Sequence, residues 1–144
     1  MNSKNSILIV IVIFLGLAGY GYFNAVAGPK NGETDNPQIV IEPKNFDLGA
    51  INYGSVAEHK FQLKNSGASE LDIRRIATSC GCTTAKVDKN NLASGEETTL
   101  TVIYDTGAMG DSPHAKGQQE RIIYVQSNDP VSPQTEITIQ AYVN

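Results

Sequence analysis

His59-Lys60-Phe61-Gln62-Leu63-Lys64 puts Phe61 and Leu63 on one face and Lys60, Gln62 and Lys64 on the other. A period of two is the pattern of a half-buried strand, because successive side chains of an extended backbone point to opposite sides. Asn65-Ser66-Gly67-Ala68 follows as a turn, with Gly67 available for a positive φ. Leu71 and Ile73 resume the alternation, and Ile76 falls out of step, so a bulge or bend is expected near Arg74-Arg75. Upstream, Ile39 with Ile41 and Phe46-Asp47-Leu48-Gly49 are brief runs of the same kind. Downstream, Cys82 to Val87 reads as a short extended piece and Leu92-Ala93-Ser94-Gly95-Glu96 as a turn. Thr98 to Tyr104 alternates, with Leu100, Val102 and Tyr104 on one side. Glu120 to Gln126 and Thr135 to Val143 complete the set, and in the last run Ile137, Ile139, Ala141 and Val143 point one way. Seven to eight short strands, turn signals between them and no helical pattern after residue 27 predict an all-β, antiparallel two-sheet sandwich. With no Trp in the chain, its core is expected to be aliphatic.

The 144 residues suit one such domain, residues 39–144, preceded by two segments of different character. Residues 7–23 carry no charge and are rich in Ile, Val, Leu and Gly, with Lys4 before them and Ala25-Val26-Ala27 after. A basic start, an apolar stretch and a small-x-small exit describe a secretory signal cleaved near Ala27. The apolar run also approaches the ~17–25 residues that span a bilayer, so an uncleaved N-terminal anchor helix is the rival. Lys4 keeps the N-terminus inside in either case, and the domain is expected outside the cytoplasmic membrane, anchored or released. Residues 28–38, with two prolines, two glycines and no large apolar side chain, read as a linker.

Charge narrows the partners. The chain carries 11 basic and 15 acidic residues for a net −4. Removal of residues 1–27 takes away Lys4 alone and leaves −5. A mildly acidic chain without a basic cluster is a poor nucleic-acid binder. Arg74-Arg75, beside Asp72, is the only adjacent basic pair and is read as a solvated strand edge.

Cys80 and Cys82, one glycine apart, are the only cysteines and the one place that suggests chemistry. Residues two apart on an extended strand share a face, so the sulfurs can meet each other or one common ligand. Their Cα atoms are then expected near the upper limit of the ~4.4–6.8 Å disulfide range, with Gly81 able to bend and shorten the distance. A bridge this short gains little from restricting the unfolded chain and is expected to be easily reduced. Three readings stand: a structural disulfide clip, a labile redox couple, and a soft-metal site for copper or zinc. The metal site needs further ligands, for which His114, Met109 and His59 are the candidates. The structural clip leads, because no cation flanks the pair closely in sequence and no helix N-terminus activates a thiolate.

Other constellations carry less. Asp105, Asp111 and Asp129 lack calcium-loop spacing and read as turn carboxylates. With two histidines and no nucleophile elbow, hydrolysis has no support, and no phosphate loop or dinucleotide fingerprint occurs.

Three segments carry a resemblance. Phe46-Asp47-Leu48-Gly49-Ala50-Ile51 with Phe61-Gln62-Leu63-Lys64-Asn65-Ser66-Gly67, then Ser79-Cys80-Gly81-Cys82-Thr83, then Ser127-Asn128-Asp129-Pro130 resemble motifs of the exported bacterial family DUF1573. The chain is more distantly similar to immunoglobulin-like modules of the major sperm protein and cilia-associated kind. The resemblance implies an immunoglobulin-like fold outside a bacterial membrane, and no activity. The loop 106–118 is longer than the resemblance leads one to expect. Two function classes follow: a non-enzymatic binding or scaffolding module with a protein partner in the cell envelope, or a small thiol-redox or soft-metal protein.

Overall fold

The apolar positions of each alternating run lie on one side of a strand, and those sides face each other. The computed structural model describes residues 35–144 apart from residues 111 and 113. The expected export or anchor segment, residues 1–27, and most of the linker lie outside the described residues. Among the described residues the strands are β1 (Ile39–Glu42), β2 (Asn45–Ile51), β3 (Val56–Asn65), β4 (Leu71–Thr78), β5 (Thr83–Val87), β6 (Asn91–Leu92), β7 (Glu97–Asp105), β8 (Gly117–Ser127) and β9 (Gln134–Val143). They form one sheet in the order β1-β3-β7-β5 and another in the order β2-β9-β8-β4-β6. Phe61, Leu63, Leu100 and Val102 from the first sheet meet Leu71, Ile73, Ile123, Val125, Ile137 and Ile139 from the second, all buried. Burial of such side chains, at about 25 cal/mol per Å² of apolar surface, is the main drive to this arrangement.

Three expectations are corrected. The strand count is nine among the described residues, because Leu92 of the expected 92–96 turn and Asn91 just before it pair with Leu71 and Asp72. The sandwich is not wholly antiparallel: β2 runs parallel to β9, with Phe46 opposite Ile139 and Ile51 opposite Val143. The chain leaves the first sheet after Glu42 and joins the second without reversing, across Pro43, which has no N–H to give to a ladder. Gly67 does not have a positive φ. Its lack of a side chain is needed for a different reason. A Cβ there would stand 2.3 Å from the Asn36 carbonyl oxygen and 2.5 Å from the Gln38 nitrogen.

That close approach also fixes the described end of the linker. Ser66 N donates to Gln38 O at 2.9 Å and Ala68 N to Asn36 O at 3.1 Å. The expected bulge is present, as a register shift between Ile73 and Arg75 in the pairing of β4 with β8.

Candidate functional site

Ser79-Cys80-Gly81-Cys82 is the crossover from β4 in one sheet to β5 in the other. Cys80 lies in a bend and Gly81 with Cys82 in a turn, rather than on the extended strand that the spacing suggested. The turn draws the two Cα atoms to 5.3 Å, and a disulfide joins the sulfurs. Hydrogen bonds hold it from several sides. Thr78 Oγ1 donates to the carbonyls of Cys80 (3.0 Å) or Thr83 (2.8 Å). Ser79 N donates to Ile122 O on β8 at 2.9 Å, and Ile122 N returns a bond to Ser79 Oγ at 3.0 Å. On the other sheet Asp105 N donates to Cys82 O at 2.9 Å.

The two sulfurs differ in surroundings. Cys82 is buried, at 3 % exposure, whereas Cys80 is only partly buried and opens on a cleft of about 380 Å³. Met109, His114, Lys116, Gln119 and Arg121 share in lining that cleft. Arg121 Nε donates to Cys82 Sγ at 3.1 Å. The rest of the guanidinium is fixed. One amino group reaches Gln119 Oε1 at 2.5 Å and Tyr104 Oη at 3.5 Å, and the other donates to Glu120 O at 2.7 Å. The group also lies 5.3 Å from the Tyr104 ring centroid, within cation–π range. Among the described residues no carboxylate forms an ion pair with Arg121. The Thr83 hydroxyl lies 3.5 Å from Cys80 Sγ and 3.9 Å from Cys82 Sγ.

The structure brings together Cys80, Cys82, Met109 and His114 of the candidate residues. His59 is elsewhere. Its ring stacks on Phe46 with centroids 3.4 Å apart and meets the edge of Phe61 at 4.7 Å. Burial holds its pKa below the ordinary imidazole value. In the disulfide form neither sulfur is a thiolate, and among the described residues no three His, Cys, Asp or Glu side chains converge on a metal position. Of the turn carboxylates, Asp105 Oδ1 accepts from Gly107 N at 2.9 Å, and Asp111 lies outside the described residues. Sequence proximity does not reveal Arg121, which lies 39 residues from Cys82. A signal for it exists: Gln119, Arg121, Ile123 and Val125 share one parity of β8, so Arg121 is a cation on an apolar, inward face.

A second surface lies where the two sheets end side by side. β5 is the edge of its sheet, and β4 is covered by β6 at Leu71 and Asp72 and by Asn90, whose carbonyl accepts from Ile73 N at 2.8 Å, leaving the rest of its edge to the cleft. Between β4 and β5 runs a cleft of about 230 Å³ lined by Ile73, Arg74, Arg75, Ile76, Lys86, Val87 and Asn90. Arg74 pairs with Asp72 at 3.4 Å, while Arg75 and Lys86 have no carboxylate partner among the described residues.

Comparison with known proteins bears on the fold. A protein of unknown function from Porphyromonas gingivalis W83 is similar at 21 % identity with a TM-score of 0.67, over 80 % of this chain and 50 % of that one. The chain thus spans about half the length of that relative. The PapD-like domain 7 of human CEP192 aligns at 9 % identity and TM-score 0.56, over 80 % of this chain and 91 % of that one. The YadV chaperone aligns at 16 % identity and 0.53, over 74 % and 52 %. No curated protein matches. These likenesses give the fold, an immunoglobulin-like sandwich of PapD-like kind, and no catalytic family is indicated. The profile of a family described as "Protein of unknown function (DUF1573)" matches residues 39–143, nearly the whole sandwich, and the chain belongs to that family.

Proposed function

We propose that this protein is a non-enzymatic binding module of the bacterial cell envelope. It is exported, and either anchored by residues 7–23 or released after cleavage near Ala27. It holds an extended, acidic segment of a partner protein along the gap between β4 and β5. The observation that carries this reading is the pair of neighbouring sheet edges, flanked by Arg74, Arg75 and Lys86 in a chain of net charge −4. Exposed edges offer unpaired N–H and C=O groups to an added strand, and apolar positions such as Ile76 and Val87 receive every second side chain of it. The cations select the sign of the intervening side chains.

A synthetic peptide of alternating valine and glutamate tests this by fluorescence anisotropy on the full-length protein in detergent. The alternating valine–lysine peptide and a proline-interrupted valine–glutamate peptide serve as comparisons. Binding of the first alone is expected. Arg75→Glu with Lys86→Glu should weaken it about tenfold or more, since like charges at an interface repel. Equal binding of all three peptides would exclude the reading. A second reading, a copper or zinc site on reduced Cys80 and Cys82, is supported by Met109 and His114 lining the same cleft. It requires stoichiometric metal uptake by the reduced protein that His114→Ala and Met109→Ala diminish.

A further inference from the structure

We infer that the Cys80–Cys82 bridge is an exchange site that passes its disulfide to a dithiol of a partner protein, with Cys80 attacked and Cys82 leaving. This is independent of the β4–β5 surface. Attack is directed to Cys80 by access: Cys80 is only partly buried and lines the open cleft, Gly81 is exposed with nothing near the place of a side chain, and Cys82 is buried. Departure is favoured at Cys82, because the Arg121 guanidinium already donates to that sulfur at 3.1 Å and carries a charge unpaired by any described carboxylate. A thiolate leaving group is expelled faster the more readily it bears negative charge.

The chemistry balances without a further reagent. The partner's first thiol loses its proton to solvent and its sulfur bonds to Cys80 Sγ. The bridge bond breaks, and its electron pair stays on Cys82 Sγ as a thiolate accepting from Arg121. The partner's second thiol then loses its proton to solvent, its sulfur bonds to the partner's first sulfur, and the bond from that sulfur to Cys80 Sγ breaks to release Cys80 as a thiolate. The partner dithiol is oxidised by two electrons and the Cys pair is reduced.

Among the described residues the charged side chains that line the cleft, Lys116 and Arg121, agree in sign. From the segment before β8 and from β8 itself, His114, Lys116 and Arg121 line the cleft. The Glu120 carboxylate instead accepts from Gln140 on β9, and on β7 Asp105 is engaged with Gly107 while Tyr104 supports Arg121. An approaching thiolate therefore meets Lys116 and Arg121 and, among the described residues, no carboxylate in the cleft wall.

Arg121 is a positioning residue in this scheme, and its test reads more than stability. The full-length protein in detergent is reduced with dithiothreitol, and the rate is followed by thiol counting. Arg121→Met should slow reduction roughly three- to tenfold, with Arg121→Lys recovering part of the loss. In a Cys80→Ser protein the single thiol, Cys82, should ionise below the ordinary thiol range of about 8.5, and adding Arg121→Met should move it up to or above that range. With glutathione as a monothiol probe, the mixed disulfide should be found on Cys80 by peptide mass mapping. The inference is overturned if Cys82 ionises at or above the ordinary range with Arg121 present, if Arg121→Met leaves the reduction rate unchanged, or if the adduct forms on Cys82. Should Arg121→Met fail to fold, the Cys80→Ser titration and the adduct position decide.

Discussion

Buried polar side chains in this sandwich act as staples between turns. Asn65 is fully buried, and all of its amide is used. Nδ2 donates to Ser69 O at 2.8 Å and Leu92 O at 2.9 Å, while Oδ1 accepts from Gly67 N at 3.0 Å and Gln38 N at 3.3 Å. Asp129 does the same between β1 and the β8–β9 turn, accepting from the backbone N–H groups of Ile39 (2.9 Å), Val131 (2.8 Å) and Ser132 (3.0 Å). Burial alone would raise its pKa, and these three donors overcome that and leave it below the ordinary value. The consequence for pH has a definite sign. Asp129 contributes in full above the unfolded carboxylate pKa of about 3.9, and its contribution is lost as pH falls through the lower folded value. Asp129→Asn turns an amide donor toward a buried N–H and should cost about 1–3 kcal/mol at neutral pH. It should also flatten the acid side of the stability profile, which urea unfolding across a pH series measures. His59 acts in the same direction at higher pH. With its folded pKa lowered, its contribution is complete above about 6.5 and declines as pH falls below that value.

At the scale of elements, alternation told which side of a strand is buried, and it told little about neighbours. Phe61 with Leu63, and Ile137 through Val143 by twos, are inward and buried as their parity demands. The parallel pairing of β2 with β9 was not legible, because a period of two is blind to strand direction. The same parity that marks Ile123 and Val125 as core also marks Arg121, and a cation at such a position points to something that needs it there. In this fold that is the Tyr104 ring and the Cys82 sulfur. Gly67 joins two elements by allowing residues 36–38 to run against the β3–β4 turn with no space for a side chain. Gly67→Ala must displace backbone rather than a flexible side chain, so a loss of about 1–3 kcal/mol is expected by analogy with overpacked interiors. Gly81→Ala meets open space and should change stability little by comparison. Thermal unfolding of the two variants side by side checks the contrast, which would be reversed if Gly67 were required only for turn conformation and Gly81 for closure of the bridge.

At the scale of the whole molecule, the core and the cysteine pair perform separate tasks. The core is continuous through both sheets, with Cys82 as one of its many members and Cys80 packed against it, and the disulfide closes a loop with one intervening residue. Chain-entropy arguments assign little stabilisation to so short a loop. Replacing both cysteines by serine should therefore lower stability only modestly, while the thiol exchange proposed above disappears. The redox state of the pair then becomes a report on compartment instead of folding. Protein carrying residues 1–27 should be recovered with the envelope fraction and with Cys80 and Cys82 oxidised, because an extracytoplasmic setting sustains disulfides. The same chain lacking residues 2–27, retained in a reducing cytoplasm, should present two alkylatable thiols. Gel-shift alkylation of acid-quenched cells, with fractionation, distinguishes these outcomes. The N-terminal residue of the recovered protein then separates cleavage near Ala27 from an intact anchor. Full-length protein found in the cytoplasm with both thiols reduced would contradict export, and would remove the setting in which the bridge could serve as a disulfide donor.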